Sequence, residues 1–398
     1  GSCIGNVSYW VLIKSTLGAF FPAFGAGNTI IAIVIASIGI WLFHFMILRG
    51  IQQATYINSI VTVAKIIPIL AFIAILIIFF SFDLFRANFW GGNAAAAMFT
   101  QDYRAIPHQA FTETPMASLL QQVNATMLTT VFVFLGIEGA SVYSRFARER
   151  SDVGRATITG FIFVTLLMVL VTILPFAVLN RPDIAAMQQP SMAGVLEAVV
   201  GRWGAVFVSV GLIVSVLGAY LAWSLICAEV LFTASRTRDM PAIFARENAN
   251  KVPANALWLT NIVVQIFVIS TYFSYDAFAL MLNLTSSMSL IPFLLVAIYA
   301  FMVCRRGETY ELRPQERGRD LIIAGIAVIY TAFLIYAGGL KFVLLSAVLY
   351  APGTLLYIWT RREQGKTVFK PSDWLIFGVA ILGAIAGIYG LASGTITV

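Results

Sequence analysis

The sequence predicts an all-α, polytopic membrane protein with about eleven transmembrane helices. The first observation is composition: 60% of the 398 residues are hydrophobic and only 11% are charged, whereas soluble domains average about 25% charged residues. The second is a series of apolar stretches long enough to cross a bilayer core of about 30 Å. The third is an alternation between connections rich and poor in Lys and Arg. This composition excludes soluble enzymes, nucleic-acid-binding proteins and disordered scaffolds.

The spans are predicted from runs that are free, or nearly free, of Asp, Glu, Lys and Arg. Helix is the only expected state, because lipid cannot satisfy backbone polar groups and each segment must satisfy its own. The first long run is divided at Gly25-Ala26-Gly27. In chain order, the predicted spans are 1–23, 29–48, 56–82, 119–144, 156–180, 203–234, 256–273, 277–304, 321–337, 341–360 and 374–395.

The basic residues predict the orientation of these spans. Counted over alternate connections, 18 of the 25 Lys and Arg residues fall on one side and 5 on the other, with Lys14 and Lys65 inside spans. Positively charged loops are retained in the cytoplasm. The basic connections are therefore expected to be cytoplasmic. The long segment 83–118 is expected outside, as a loop with a short surface helix.

An acidic residue lies inside the fourth predicted span, in the stretch Gly136-Ile137-Glu138-Gly139. A charge within a span costs about 2.5–3.5 kcal/mol on insertion scales, and each glycine costs a helix about 1 kcal/mol relative to alanine. The pattern favours a helix that breaks within the membrane and presents the backbone at Gly136 and Ile137 to a ligand, as in secondary transporters. The structural alternative is a close helix contact through small residues, with Glu138 paired to a neighbouring span.

Three other ionisable residues lie in predicted spans. Lys65 is too deep to reach water easily, so it is interpreted as a fixed ammonium in place of a bound cation, with a structural ion pair as the alternative. Glu229 lies two turns before Arg236 and Arg238, and pairing with them is the simpler interpretation. Lys14 can face either the helix bundle or the outer surface.

The aromatic residues and the potential metal ligands do not by themselves indicate a function. Trp223 lies in the middle of a span, where an indole can bind a cation or simply pack; both interpretations stay open. His44, on a face with Trp41 and Phe45, is interpreted as structural. The sequence has no HExxH, CxxC or phosphate-binding glycine loop, so no cofactor and no metal are expected.

These motifs resemble the amino acid–polyamine–organocation (APC) transporter superfamily, and within it the basic amino-acid antiporters of the arginine/ornithine exchanger group. The most specific match is the glycine-flanked acid, residues 136–141, followed by the basic loop 148–157. It is similar to the broken sixth helix of the family. Residues 5–6 resemble the third helix, and residues 223–225 with 239–245 resemble the eighth helix and its following loop.

The resemblance implies an APC/LeuT-like inverted-repeat helical bundle. Because span 1–23 matches the third helix of the family, the first two helices of the fold are expected to be lacking from this chain. The implied organisation is one membrane transport domain over 1–398, comprising an incomplete first repeat (1–82), an outer loop (83–118), a second repeat (119–304) and additional C-terminal helices (320–398).

The resemblance also implies a substrate site. Asn6 and Ser289 match polar contacts to the cationic end of the substrate, and Tyr9 lies one turn from Asn6. Phe132 matches an aromatic residue that closes over the substrate. Trp223 matches the aromatic residue that stacks on its cationic end. Together with Gly136 and Ile137, these residues form the predicted substrate-binding set.

Two ionisable residues are implied to control transport: Glu138 matches an acid that couples binding to gating or protonation, and Lys65 resembles a lysine that occupies the sodium position in proton-coupled members. The expected function is exchange of basic amino acids, arginine inward against ornithine outward, by a multi-pass protein of the cell inner membrane without nucleic-acid partners. Proton-coupled symport of an amino acid or polyamine, a channel, an inactive N-terminally truncated fragment and a homodimer all stay open. An intramembrane enzyme is disfavoured, because the spans contain no nucleophile–base pair or metal-ligand spacing.

Overall fold

The structure is a computed structural model, and it describes most of the chain. The described residues are 1–25, 27–90, 116–137, 149–187, 189–274, 276–308, 310 and 314–396.

All regular structure in these residues is helical. The α-helices, in chain order, are α1 (Ser2–Gly18), α2 (Ile30–Leu48), α3 (Ile51–Ile78), α4 (Phe82–Trp90), α5 (Met116–Phe134), α6 (Arg150–Ile173), α7 (Arg181–Ala186), α8 (Ser191–Val200), α9 (Arg202–Arg236), α10 (Ala254–Ser270), α11 (Ala277–Arg306), α12 (Arg317–Ala337), α13 (Gly339–Tyr350), α14 (Gly353–Glu363) and α15 (Pro371–Ala392).

The predicted all-α membrane fold is confirmed. Helix overlaps each predicted span. By length and composition eight described segments can cross a membrane, with α13 and α14 counted as one, or nine if α3 and α4 are one bent span. Their lipid-facing surfaces carry large exposed hydrophobic side chains. Such surfaces are expected where the surrounding solvent is hydrocarbon rather than water.

A short helix, α4, follows the third span, and its predicted place on the membrane surface stays a prediction. Its axis is bent by 104° from that of α3. Asn88 on α4 anchors it: its amide donates to the carbonyls of Phe176 at 2.8 Å and Leu179 at 2.9 Å, and its Oδ1 accepts from the N–H of Arg181 at 3.0 Å. These bonds tie α4 to the chain that leaves α6.

The structure differs from the sequence prediction in two connections. The link between the fifth and sixth spans contains two short helices, α7 and α8, and α8 buries Val195 and Leu196 against the bundle. The predicted span 341–360 is divided between α13 and α14 at Ala351 and Pro352. Proline lacks the backbone N–H that would continue a helix.

The largest buried core surrounds α1. Val7 and Trp10 of this helix pack with Tyr220 of α9, and residues of α2, α10, α11 and α13 complete the same cluster. The ring of Trp10 lies over Gly39 of α2 so closely that a Cβ there would overlap it. The helix predicted to carry Asn6 and Tyr9 is therefore held on several sides.

Candidate functional site

A cavity of about 230 Å³ lies where α1, α5, α9, α11 and α13 meet. Its walls are aromatic rings, small residues and hydroxyl groups. The residues that line it are Gly1, Ser2, Gly5, Tyr9, Phe132, Leu135, Trp223, Thr285, Met288, Ser289, Pro292, Phe293 and Tyr350.

Four residues of the predicted substrate-binding set share this cavity: Tyr9, Phe132, Trp223 and Ser289. They come from four different helices and lie far apart in sequence. Asn6 does not line the cavity but is 2% exposed on the same helix as Tyr9. The structure thus brings these predicted residues together, and their contact with a substrate stays a prediction.

Asn6 is connected to the helix that carries Trp223. Its Nδ2 donates to Oγ of Ser224 at 3.4 Å, across the contact between α1 and α9. Its Oδ1 is buried and has no hydrogen-bond partner among the residues that the structure describes. A buried acceptor without a donor costs about 1–3 kcal/mol, so Asn6 has unused capacity to accept a hydrogen bond.

In the described part of the fourth span, the helix ends at the predicted glycine. Helix α5 ends at Phe134, and residues 135–137 form a turn. Gly136 has φ +107°, and a Cβ on it would lie 3.1 Å from Cζ2 of Trp223. Only glycine takes this conformation readily, and its lack of a side chain leaves room for the indole.

Of the other two predicted residues in this segment, the structure describes Ile137 but not Glu138. Ile137 is half-buried and its N–H donates to the carbonyl of Phe134 at 3.4 Å, so it belongs to the turn. Glu138 lies outside the described residues, and its coupling role stays a prediction.

The wall formed by α11 presents oxygen lone pairs. Oγ of Ser289 donates to the carbonyl of Thr285 at 2.8 Å, and Oγ1 of Thr285 donates to the carbonyl of Met281 at 2.7 Å. A hydroxyl has one hydrogen and two lone pairs. With the hydrogen used inside the helix, both groups can only accept from a ligand, which suits N–H donors.

The two lysines within predicted spans lie away from this cavity. Lys14 is 1% exposed, and its ammonium donates to Oγ1 of Thr271 on the 3-10 turn after α10 at 2.8 Å, so it faces the bundle. Lys65 is half-buried on α3 and does not line the cavity. Glu229 is half-buried on α9. A direct role of Lys65 in coupling stays a prediction.

His44 is a buried packing residue, as the sequence indicated. It is 0% exposed, and its ring is 4.3 Å from that of Trp258 between centroids. Nδ2 of Asn261 lies 2.9 Å from Nδ1 of His44, and the Tyr220 hydroxyl donates to Oδ1 of Asn261 at 3.2 Å. This polar chain joins α2, α10 and α9.

Sequence reasoning missed several cavity residues, most of them on or against α11. Thr285, Met288, Pro292 and Tyr350 line the cavity but were not predicted. A usable signal was present, because a run of polar residues before a proline is unusual in an apolar span. Among the described residues, no group of His, Cys, Asp and Glu side chains could hold a metal ion.

Comparison with known proteins identifies the family. The profile described as amino acid permease matches residues 2–343. An arginine/ornithine antiporter of Pseudomonas aeruginosa is 48% identical, over 99% of this chain and 79% of its own length. An L-lysine transport protein of Corynebacterium glutamicum is 36% identical (100% and 78%), and an arginine/agmatine antiporter of Chlamydia pneumoniae is 37% identical (99% and 79%).

These relatives are transport proteins rather than enzymes, and the match runs along nearly the whole chain. Its helices have the length and composition of membrane spans. The protein is therefore a multi-pass membrane protein, and it belongs to the amino acid permease family.

Proposed function

We propose that this chain exchanges basic amino acids across the membrane by alternating access, with arginine and ornithine as the principal pair. The observation that carries the proposal is the cavity itself. The aromatic rings of Tyr9, Phe132 and Trp223 line it together with Ser289, beside the end of α5. A long substrate with a positively charged side chain finds both π faces and acceptor oxygens there.

The end of α5 adds a suitable electrostatic field. The C-terminus of a helix carries partial negative charge, which favours cations within its last turn. Helix α5 ends at Phe134, and Leu135 directly after it lines the cavity. An ammonium group of the substrate is therefore stabilised at this end of the cavity, before the contribution that we expect from Glu138.

The names of the relatives support basic amino acids as the substrate class. The protein with 48% identity is an arginine/ornithine antiporter, and another relative transports L-lysine. We infer further that the chain resides in the cell inner membrane with its basic connections in the cytoplasm, and that it is organised in the two repeats given above. Proton-coupled symport by the same cavity is the second candidate, favoured by the lysine at position 65 within α3.

A counterflow experiment separates exchange from symport. The protein is reconstituted in liposomes, and uptake of labelled arginine is measured with and without unlabelled ornithine inside. Exchange requires internal ornithine and leaves the luminal pH unchanged. Uptake into empty liposomes with acidification of the lumen would instead establish symport, and no uptake under either condition would refute both.

Replacing Trp223 by alanine tests the cavity as the substrate site. A cation–π contact contributes about 0.5–2 kcal/mol, so Trp223→Ala is expected to raise KM for arginine by about 2- to 30-fold. Trp223→Phe, which keeps a π face, should lie between alanine and wild type. The matched control is Trp203→Ala on the same helix, since Trp203 is 60% exposed and outside the cavity. Equal KM values for Trp223→Ala and wild type would show that Trp223 only packs.

A further inference from the structure

Pro292 interrupts the hydrogen bonding of α11 at the wall of the cavity. In an α-helix, the N–H of each residue donates to the carbonyl four residues earlier. Proline has no N–H, so Pro292 supplies no donor to the carbonyl of Met288. In the membrane no bulk water can replace the missing donor, and an unsatisfied carbonyl is costly.

Tyr350 at the end of α13 supplies that donor. Its hydroxyl donates to the Met288 carbonyl at 2.6 Å, a short and therefore well-formed bond. One turn earlier on the same helix, Oγ of Ser346 lies 3.3 Å from Oγ of Ser287. Because Ser346 donates its own hydrogen to the carbonyl of Phe342 at 2.7 Å, it can only accept the hydrogen of Ser287. Two consecutive turns of α13 are thus bonded to the part of α11 that carries the cavity wall.

Tyr350 and Pro292 also separate two spaces. Both line the cavity of about 230 Å³, and both line a larger apolar groove of about 770 Å³ between α11, α13, α14 and α15. If the carbonyl of Met288 lost its donor, α11 would be free to turn at Pro292 and reorient Met288 and Ser289. The hydroxyl bond opposes that movement from the side of the groove.

We propose that Tyr350 is a positioning residue for substrate binding, which acts by holding the Met288 carbonyl so that Ser289 presents its lone pairs to the cavity. The proposal rests on the proposed function, in which this cavity binds the exchanged amino acid. Tyr350 lies beyond residues 2–343, the part matched by the permease profile. The proposal therefore assigns the C-terminal helices a part in substrate recognition.

The test compares Tyr350→Phe with Tyr357→Phe in the reconstituted protein. Each change removes one hydrogen bond donated by a tyrosine hydroxyl. The Tyr357 hydroxyl donates to Oδ2 of Asp373 at 2.9 Å, and Tyr357 lines the groove but not the cavity, so it is the matched control. A hydrogen bond contributes about 0.5–1.5 kcal/mol, so Tyr350→Phe should raise KM for arginine by about 2- to 12-fold. Vmax with saturating ornithine inside should stay close to wild type. Both variants should lower the melting temperature by similar amounts, but Tyr357→Phe should leave KM unchanged.

A second variant tests the mechanism directly. Pro292→Ala restores an N–H that can donate to the Met288 carbonyl, so adding Tyr350→Phe to Pro292→Ala should produce no further rise in KM. An undiminished rise in that background would overturn the proposal. So would equal KM values for Tyr350→Phe and wild type, or equal increases in Tyr350→Phe and Tyr357→Phe. Absence of arginine exchange in the wild-type protein would instead refute the proposed function.

Discussion

Replacing Gly136 by alanine adds one methyl group to the turn that follows α5. Gly136 has φ +107°, a conformation that residues with a Cβ rarely adopt. The added methyl group would also lie 3.1 Å from Cζ2 of Trp223, closer than ordinary van der Waals contact. The change therefore acts on the backbone of the turn and on the indole at the same time.

The magnitude follows from these two contacts. Holding a residue other than glycine in a sparsely populated backbone conformation costs about 1–3 kcal/mol. The chain can relieve that strain by rotating residues 135–137, but this rotation moves Leu135, which lines the cavity, and the indole of Trp223 must also shift. Returning the relaxed turn to the geometry that binds arginine then costs about the same 1–3 kcal/mol. The affinity for arginine therefore falls by about 5- to 150-fold.

The assay is arginine binding to the purified protein, measured by isothermal titration together with thermal unfolding. The matched control is Gly160→Ala in the interior of α6, where a Cβ would meet no atom within 4 Å. Alanine there should be neutral or stabilising, because it favours helix by about 1 kcal/mol over glycine. Wild-type affinity in a folded Gly136→Ala protein would show that the turn does not shape the binding site.

Two further predictions concern buried polar contacts outside the cavity. Thr271→Val should destabilise the protein by about 1–3 kcal/mol, because it leaves the ammonium of Lys14 without the Thr271 acceptor. Lys14→Met, which removes the charge itself, should be neutral or stabilising in thermal unfolding. A larger loss of stability in Lys14→Met than in Thr271→Val would contradict this prediction. Asn261→Leu should cost about 2–6 kcal/mol of unfolding free energy, because it removes the partners of both His44 and Tyr220, each a loss of about 1–3 kcal/mol. A chemical denaturation midpoint equal to wild type would refute this second estimate.

Much of the fold could be predicted because the bilayer imposes simple rules. A span needs about 20 apolar residues, so uncharged runs locate the long helices. The two glycines around position 138 likewise predicted a break in the fourth span, because glycine weakens a helix interior, and α5 ends at Phe134. Helices α7 and α8 escaped prediction because they are short: α7 has 6 residues, and α8, although apolar, has 10, which is too few for the rule that identifies spans.

The cavity was harder to predict from the residues alone. Trp223 and the acid at position 138 were identifiable as unusual within spans, but Tyr9, Phe132 and Ser289 came only from the resemblance to a family. Tyr350 was missed because its role depends on a tertiary contact between α13 and α11. A proline in a span predicts an unpaired carbonyl four residues earlier, but it does not identify the donor.

The hydrogen bonding of the cavity wall suits basic substrates for a physical reason. The hydroxyl hydrogens of Thr285, Ser289 and Tyr350 are all donated to carbonyls of α11, at 2.7, 2.8 and 2.6 Å. These three oxygens therefore offer only lone pairs to a ligand. An ammonium or guanidinium group, which has only donors, can satisfy them, whereas a carboxylate placed there would leave acceptors facing acceptors in a poorly solvated site. The same arrangement underlies the positioning role proposed for Tyr350, because without its hydroxyl bond the Met288 carbonyl would be free to turn and Ser289 would lose its fixed direction.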